Sequence, residues 1–401
     1  MRRKWRRVAL QSAGIMLVAA TAFLAAGCGG GDGGGNSKTQ TSVSGLPQSI
    51  GKGEGALNLI EWPYYSDKSF ADKFEQQTGC MIKRKDAGSS NQMVALMRTG
   101  GGGGGGQYDM VSASGDASLR LIAGGDVRPV NVDLIPEWKN FIPAFKSPAH
   151  NTVGGVHYGV SLQWGPNTLL YNTEKVTPAP KDWSPLYSPD YKGQVTVPNN
   201  PIQIADAALY LAKTKPSLGI TDPYELNQNQ FDATIDLLKQ QKPLVKTYWN
   251  YAADEIQAFK QGDVSIGASW PYQTLQLQAA KEPVTEIIPV RQGVTGWADT
   301  WMIAKRAPHP NCAYMWMKYV STPEVQAQQA IVFGETPVNP KACPFMNKIE
   351  ADSCAKYHLN EPESYYSQIK FWKTPIADCG DGNKDCMDYN EWQKAWTEVT
   401  G

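Results

Sequence analysis

From residue 56 the chain alternates short apolar runs with amphipathic ones, and that order limits the fold more than any other feature. ALNLIEW reads as a strand. SDKSFADKFEQQTG reads as a helix, with Phe70 and Phe74 four residues apart, Ser66 as its cap and Gly79 as its stop. CMIKRK with SSNQMVALMRTG, then YDMVSAS with DASLRLIAGG, repeat the pair. Strands alternating with helices predict an α/β fold, a parallel sheet with helices on its faces. TLLYN, QVTVPNN, VSIGASW, VTEIIPV and DTWMIAKRA extend the strands. The intervening helices include PIQIADAALYLAKTK, with Pro201 at its first position. A last helix, DYNEWQKAWTEV, carries capping-box spacing at Asp388 and Glu391 and places Trp392 and Trp396 on one face. The length allows two lobes.

The first 28 residues are processing signal. MRRKWRR is a positive n-region, and the apolar stretch behind it ends in AAGC, so Cys28 is the expected lipidated first residue of an exported chain. Residues 29–55, rich in Gly, Ser and Thr, are expected to form a flexible tether with a reach of about 30 Å. The whole chain has 38 basic and 38 acidic residues; removing Arg2, Arg3, Lys4, Arg6 and Arg7 leaves 38 − 5 = 33 bases, a net charge of 33 − 38 = −5. An acidic mature chain argues against nucleic acid. Seven glycines, Gly100 to Gly106, are followed by Gln107 and Tyr108, not by the Lys-Ser or Lys-Thr of a phosphate loop, and are read as a surface loop. Besides Cys28 there are six cysteines, which in an exported chain read as disulfides with 15 pairings open. Proximity favours Cys343–Cys354 and Cys379–Cys386, which leaves Cys80–Cys312. No metal or other cofactor is expected.

Ligands of open α/β sheets bind at the carboxyl ends of strands. Five polar or aromatic clusters fall there or at linking segments: Trp62 with Tyr64 and Tyr65; Ser114 with Asp116; Asn200 with Gln203; Trp270; and Trp297 with Asp299. Each alone has a bland reading, a core tryptophan or a helix cap. Their shared position suggests one cleft. Asp299, framed by Trp297 and Trp301, suggests a cage for a cation, because a dry acid needs a positive partner and aromatic faces attract cations.

The motifs EWPYYSDKSFADKFEQQTG, YDMVSASGDASLRLIAGGDVRPVN, YGVSLQWGPNTLLYN, GWADTWMIAKRAPHPNCA and FGETPVN, in this order, resemble the spermidine/putrescine-binding proteins of ATP-driven bacterial importers. The resemblance spans about residues 56–375. It implies the two-lobed periplasmic-binding-protein fold, with 56–164 plus 298–338 as one lobe and 165–297 plus 339–401 as the other. It implies a hinge near Trp164-Gly165 and Trp297-Ala298, with a third crossing near Val338. It also implies a monomeric, non-enzymatic receptor that hands a polyamine to permease subunits at the membrane. By position, Trp62, Tyr65, Ser114, Trp164, Trp270, Trp297 and Asp299 match the family's ligand contacts.

The chain departs from that pattern at several of these positions. Tyr64 stands where the family has an acid, Asn200 and Gln203 where it has two acids, Asp116 and Glu335 at aromatic positions, and Lys373 at a neutral amide. Asp116 and Glu335 would restore negative charge; Lys373, if it faced the cleft, would favour an anion. A binding protein for another amine or an anion is the rival reading. An exported hydrolase is a remote one, since no Ser, His and Asp are spaced as a nucleophilic set.

Overall fold

The computed structural model describes residues 45–102, 105–289, 293–379 and 384–401. The signal segment and Cys28 lie outside these. The strands in chain order are β1 (Ala56–Glu61), β2 (Met81–Asp86), β3 (Met110–Ala113), a short hairpin of β4 (Thr152–Val153) and β5 (Val156–His157), β6 (Gly159–Pro166) and β7 (Thr168–Asn172). They continue as β8 (Val195–Pro198), β9 (Val245–Trp249), β10 (Ile266–Ser269), β11 (Val284–Ile287), β12 (Val294–Ile303), β13 (Thr336–Pro337) and β14 (Ile369–Phe371). Two sheets result. The first runs β13-β6-β12-β3-β1-β2, with β14 also on β12; the second runs β11-β7-β10-β8-β9. Helices pack around both, as the alternation predicts.

Neither sheet is mainly parallel throughout. β1 is parallel to β2 and β3, and β8 to β9 and β10. β12 runs antiparallel to β3 and β6, and β7 antiparallel to β10 and β11. The reason is connectivity. β6 and β12 belong to segments that cross between the sheets, and a crossing strand enters from the opposite end. β6 and β9 lay under sequence stretches with no strand reading.

Local chemistry sets the element ends. The first helix, Lys68–Thr78, is capped by the Asp67 carboxylate accepting from the Ser69 N–H. Ser66, the expected cap, instead donates its hydroxyl to Glu61 at 2.7 Å. Phe70 and Phe74 are buried on its inner face, and Gly79 ends it at φ 71°, a left-handed conformation that glycine adopts without penalty. The helix expected from Pro201 runs Gln203–Thr214, because the Asn200 side chain accepts from the Ile202 N–H and closes a turn first. The final helix, Tyr389–Thr400, carries the predicted capping box, with Trp392 and Trp396 both buried. Of the glycine run, residues 100–102 belong to a π-helical turn, Met97–Gly102, rather than to a loop.

The disulfides pair as expected, Cys343–Cys354 and Cys379–Cys386 by proximity and Cys80–Cys312 as the remaining pair. The described part of the expected tether is fastened to the body. The Asn131 side chain donates to the Pro47 carbonyl, and Glu54 accepts from the Asn311 and Cys312 N–H groups at the start of helix Pro310–Val320.

The chain passes from the first sheet to the second at Asn167, between β6 and β7, and returns ahead of Val294. Asn167 ties the two passages, donating its N–H to the Thr295 carbonyl and its side-chain amide to the Thr295 hydroxyl. Trp164 and Trp297, expected at the crossing, sit inside β6 and β12. The third crossing differs most from expectation. Residues 339–371 stay with the first sheet, because Phe371 and Tyr366 pack on Trp164 and β14 pairs with β12. The chain leaves that sheet after Phe371, not near Val338.

Candidate functional site

The carboxyl end of β1 delivers Trp62 and, through a turn, Tyr65. The Trp62 N–H donates to the Ser112 hydroxyl, and its indole N–H to the Ser114 hydroxyl at 3.2 Å. Ser114 passes the contact on, donating to Asp299 at 2.5 Å. The Tyr65 hydroxyl reaches the other oxygen of Asp299 and both oxygens of Glu335, the latter at 3.1 and 3.2 Å. Asp299 comes from the middle of β12, whose ten residues are all buried, and Glu335 from the turn after helix Pro323–Phe333.

The proton count at this cluster is short. Two carboxylates offer four oxygens; Ser114 and Tyr65 supply one proton each. No cation touches either acid among the described residues. Burial pushes the Asp299 carboxyl up to about 7, opposed by its bonds to Ser114 and Tyr65 and reinforced by Asp116. Burial first, then the Asp299 charge, pushes Glu335 well above the usual carboxylate range. A pair like this holds a proton or awaits a positive guest.

The cluster opens into a small cavity of about 20 Å³, room for one ammonium-sized group. Trp62, Tyr65, Ser114, Asp299, Phe333 and Glu335 line it from the first sheet's side, and Trp270 from the end of β10. Trp297 and Trp372 close it near the crossings. Trp62 and Trp270 meet edge to face, 6.3 Å apart, and Trp249 braces Trp270 at 4.8 Å. Next to this cavity, sharing Trp62, Trp270 and Phe333, lies a wider pocket of about 230 Å³.

Of the thirteen ligand candidates, Trp62, Tyr65, Ser114, Trp270, Trp297, Asp299 and Glu335 are brought together around the cavity. Tyr64 lines the wider pocket and is half exposed, at a left-handed φ of 74°. Five do not line either space. Trp164 is fully buried against Phe145, Tyr366 and Phe371 and serves as core. Asp116 accepts from the Ser90 hydroxyl and has the Asn200 side chain beside it, so these two candidates lie next to each other rather than at the cavity. Gln203 donates to Asp206 at 2.7 Å. Lys373 is turned to Asp222 and Glu225, with which it forms two ion pairs. Trp301, the second indole framing Asp299 in sequence, packs on Trp316 in the core.

Trp372 and Phe333 are cavity residues that sequence reasoning missed. Trp372 stands beside Lys373, and the charge drew attention from the ring. Its N–H bonds to the Gly296 carbonyl, continuing the β14–β12 pairing. Gly115 makes room for it: a Cβ there would lie 1.8 Å from the Trp372 carbonyl oxygen. Among the described residues no cluster of three or more His, Cys, Asp or Glu is arranged to hold a metal ion.

The model of the bacterial extracellular solute-binding proteins matches residues 69–355. The chain belongs to this family. It is therefore a binder of solutes rather than an enzyme. Among its relatives, the putrescine/agmatine-binding protein of Pseudomonas aeruginosa is 22% identical over 324 residues, covering 76% of this chain and 84% of the relative. The putrescine-binding periplasmic protein PotF of Escherichia coli K12 is 23% identical over 68% of this chain and 74% of its own length. A putative spermidine/putrescine ABC transporter structure from Listeria monocytogenes superposes with a TM-score of 0.71 at 19% identity, over 86% of this chain and 98% of that one. At that identity it speaks for the two-lobed fold.

Proposed function

We propose that this solute-binding protein captures an organic ammonium ion outside the cell and delivers it to an ATP-driven importer. The observation that carries the reading is the Asp299–Tyr65–Glu335 cluster, two buried acids sharing one hydroxyl in an aromatic cavity. An ammonium donates to both acids and lies against ring faces, each desolvated ring contact contributing up to about 2 kcal/mol. The relatives' names make putrescine, spermidine and agmatine the first amines to test. The anion reading loses its main support, since Lys373 is neutralised by Asp222 and Glu225. We further propose that lipid on Cys28 anchors the chain at the outer face of the membrane, a point that a Cys28→Ser variant released into the medium would support.

The deciding test is calorimetric titration of the ligand-stripped protein with a panel of amines and, separately, of carboxylates and phosphate. Saturable heat with an amine and none with the anions is the expected result. Heat from anions alone would sink the reading.

A further inference from the structure

The cavity and the pocket beside it differ in chemistry. The acids line only the small cavity. The wider pocket begins at the shared rings Trp62, Trp270 and Phe333 and continues between Tyr64, Tyr251 and Tyr272. No acidic side chain lines it; its polar groups are neutral. Tyr64 and Tyr251, among the few large rings left half exposed, stand at its walls. Tyr251 comes from the second sheet's side and rests on Gly88 from the first, where a Cβ would lie 2.0 Å from its ring. Tyr272 stacks on Phe333 at 5.2 Å, which continues the ring lining outward from the cavity. At about 230 Å³ this space falls just below the ordinary range of small-molecule sites, ~300–1,000 Å³, which leaves room for one short ring-bearing tail.

Resting on the ammonium reading above, we infer that the ligand is single-headed: one ammonium at Asp299 and Glu335, and an apolar, preferably aromatic, tail in the ring-lined pocket between Tyr251 and Tyr272. A linear diamine fits the same space poorly. Its second ammonium would leave water for a neutral wall, and a desolvated charge without a partner is costly. Asn200 and Gln203, at the positions from which the family resemblance would draw far-end acids, are occupied by Asp116 and Asp206. A ring-bearing tail gains stacking contacts with the same tyrosines.

The test is calorimetric titration of the purified, ligand-stripped protein with 2-phenylethylamine, n-butylamine and 1,4-diaminobutane. Binding of 2-phenylethylamine at least tenfold tighter than 1,4-diaminobutane is expected, with n-butylamine between them. Tyr272→Ala should shrink the advantage of 2-phenylethylamine over n-butylamine at least threefold, which separates tail recognition from head recognition. Equal or tighter binding of 1,4-diaminobutane would overturn the single-headed ligand and leave the ammonium reading standing. Absence of heat with all three would remove the ammonium reading and the inference with it.

Discussion

Two buried carboxylate clusters sit along β12, and they resolve the same problem differently. Asp206 accepts from the Thr295 hydroxyl, the Asn167 amide and the Gln203 amide, three neutral donors around one acid. Asp299 and Glu335 share two hydroxyls between two acids. Burial pushes Asp206 up to about 6 and Asp299 up to about 7. The second cluster opens to a cavity. An acid whose donors are complete holds architecture together, here the two chain crossings. An acid left short of donors, in a space lined by rings, is free to hold a guest. Burial alone does not separate the two cases; the donor count together with the adjoining cavity does.

Single substitutions should split the clusters. Asp299→Asn keeps the shape, turns one acceptor oxygen into a donor and removes the charge. Amine affinity should fall about 100-fold, ~2.7 kcal/mol, while the unliganded protein unfolds at the same or higher denaturant concentration. Unchanged affinity would remove Asp299 from the site. Asp206→Ala should do the reverse. It strands three buried donors, and chemical denaturation should show a loss of about 2–3 kcal/mol, with amine affinity changed less than threefold. If affinity collapsed and stability held, the architectural role given to Asp206 would be wrong.

Much of this contrast was legible in the sequence, and the part that was not has a physical cause. Asp299 beside Trp297, and Glu335 as added negative charge, are local features that survive folding. Trp62, Tyr65 and Ser114 follow strands whose ends the alternation located. Asp116, Asn200 and Gln203 stand at strand ends too, yet Asp116 is met by Ser90 and Asn200 from other segments and Gln203 turns to Asp206 one helical turn on, and no strand-end rule reports such partners. Lys373 was open to an inward or outward reading until Asp222 and Glu225, some 150 positions earlier, came beside it. Trp372 depends on the crossing after Phe371, which the sequence placed near Val338. The β6 strand was missed because it is buried on both faces and shows no period-two alternation.

Glu335 shares its acceptor role, so its removal should cost less than that of Asp299. Glu335→Gln removes a buried acid that the Asp299 charge pushes up, and leaves Asp299 to carry the ligand's charge alone. Amine affinity should drop about tenfold, ~1.4 kcal/mol, with a gain in stability of the unliganded protein. A loss as large as that of Asp299→Asn would mean the two acids grip separate ends of the guest, against a single-headed ligand.

The smallest effect is the pH dependence, and its sign is fixed by burial. Asp299 grips an ammonium only when ionised, and its carboxyl sits at about 7 in the unliganded fold. Between pH 8 and 6.5 the ionised fraction, and with it the amine affinity, should fall about fourfold. Stability of the unliganded protein runs the other way. An acid whose folded pKa exceeds its ordinary value binds more protons folded than unfolded, so stability falls as pH rises from about 4 to about 7. Glu61 and Asp206, raised by burial to about 8 and about 6, push in the same direction, and His150, lowered by burial to about 4, pushes in the opposite one. These groups titrate in both wild type and Asp299→Asn, so their contributions largely cancel in the difference between the two. Thermal unfolding of the pair at pH 5 and pH 8 should therefore show the variant gaining on wild type at the higher pH. A gap that does not widen would show that Asp299 is not held protonated by its surroundings, and the donor shortage that distinguishes this cluster from that of Asp206 would lose its energetic meaning.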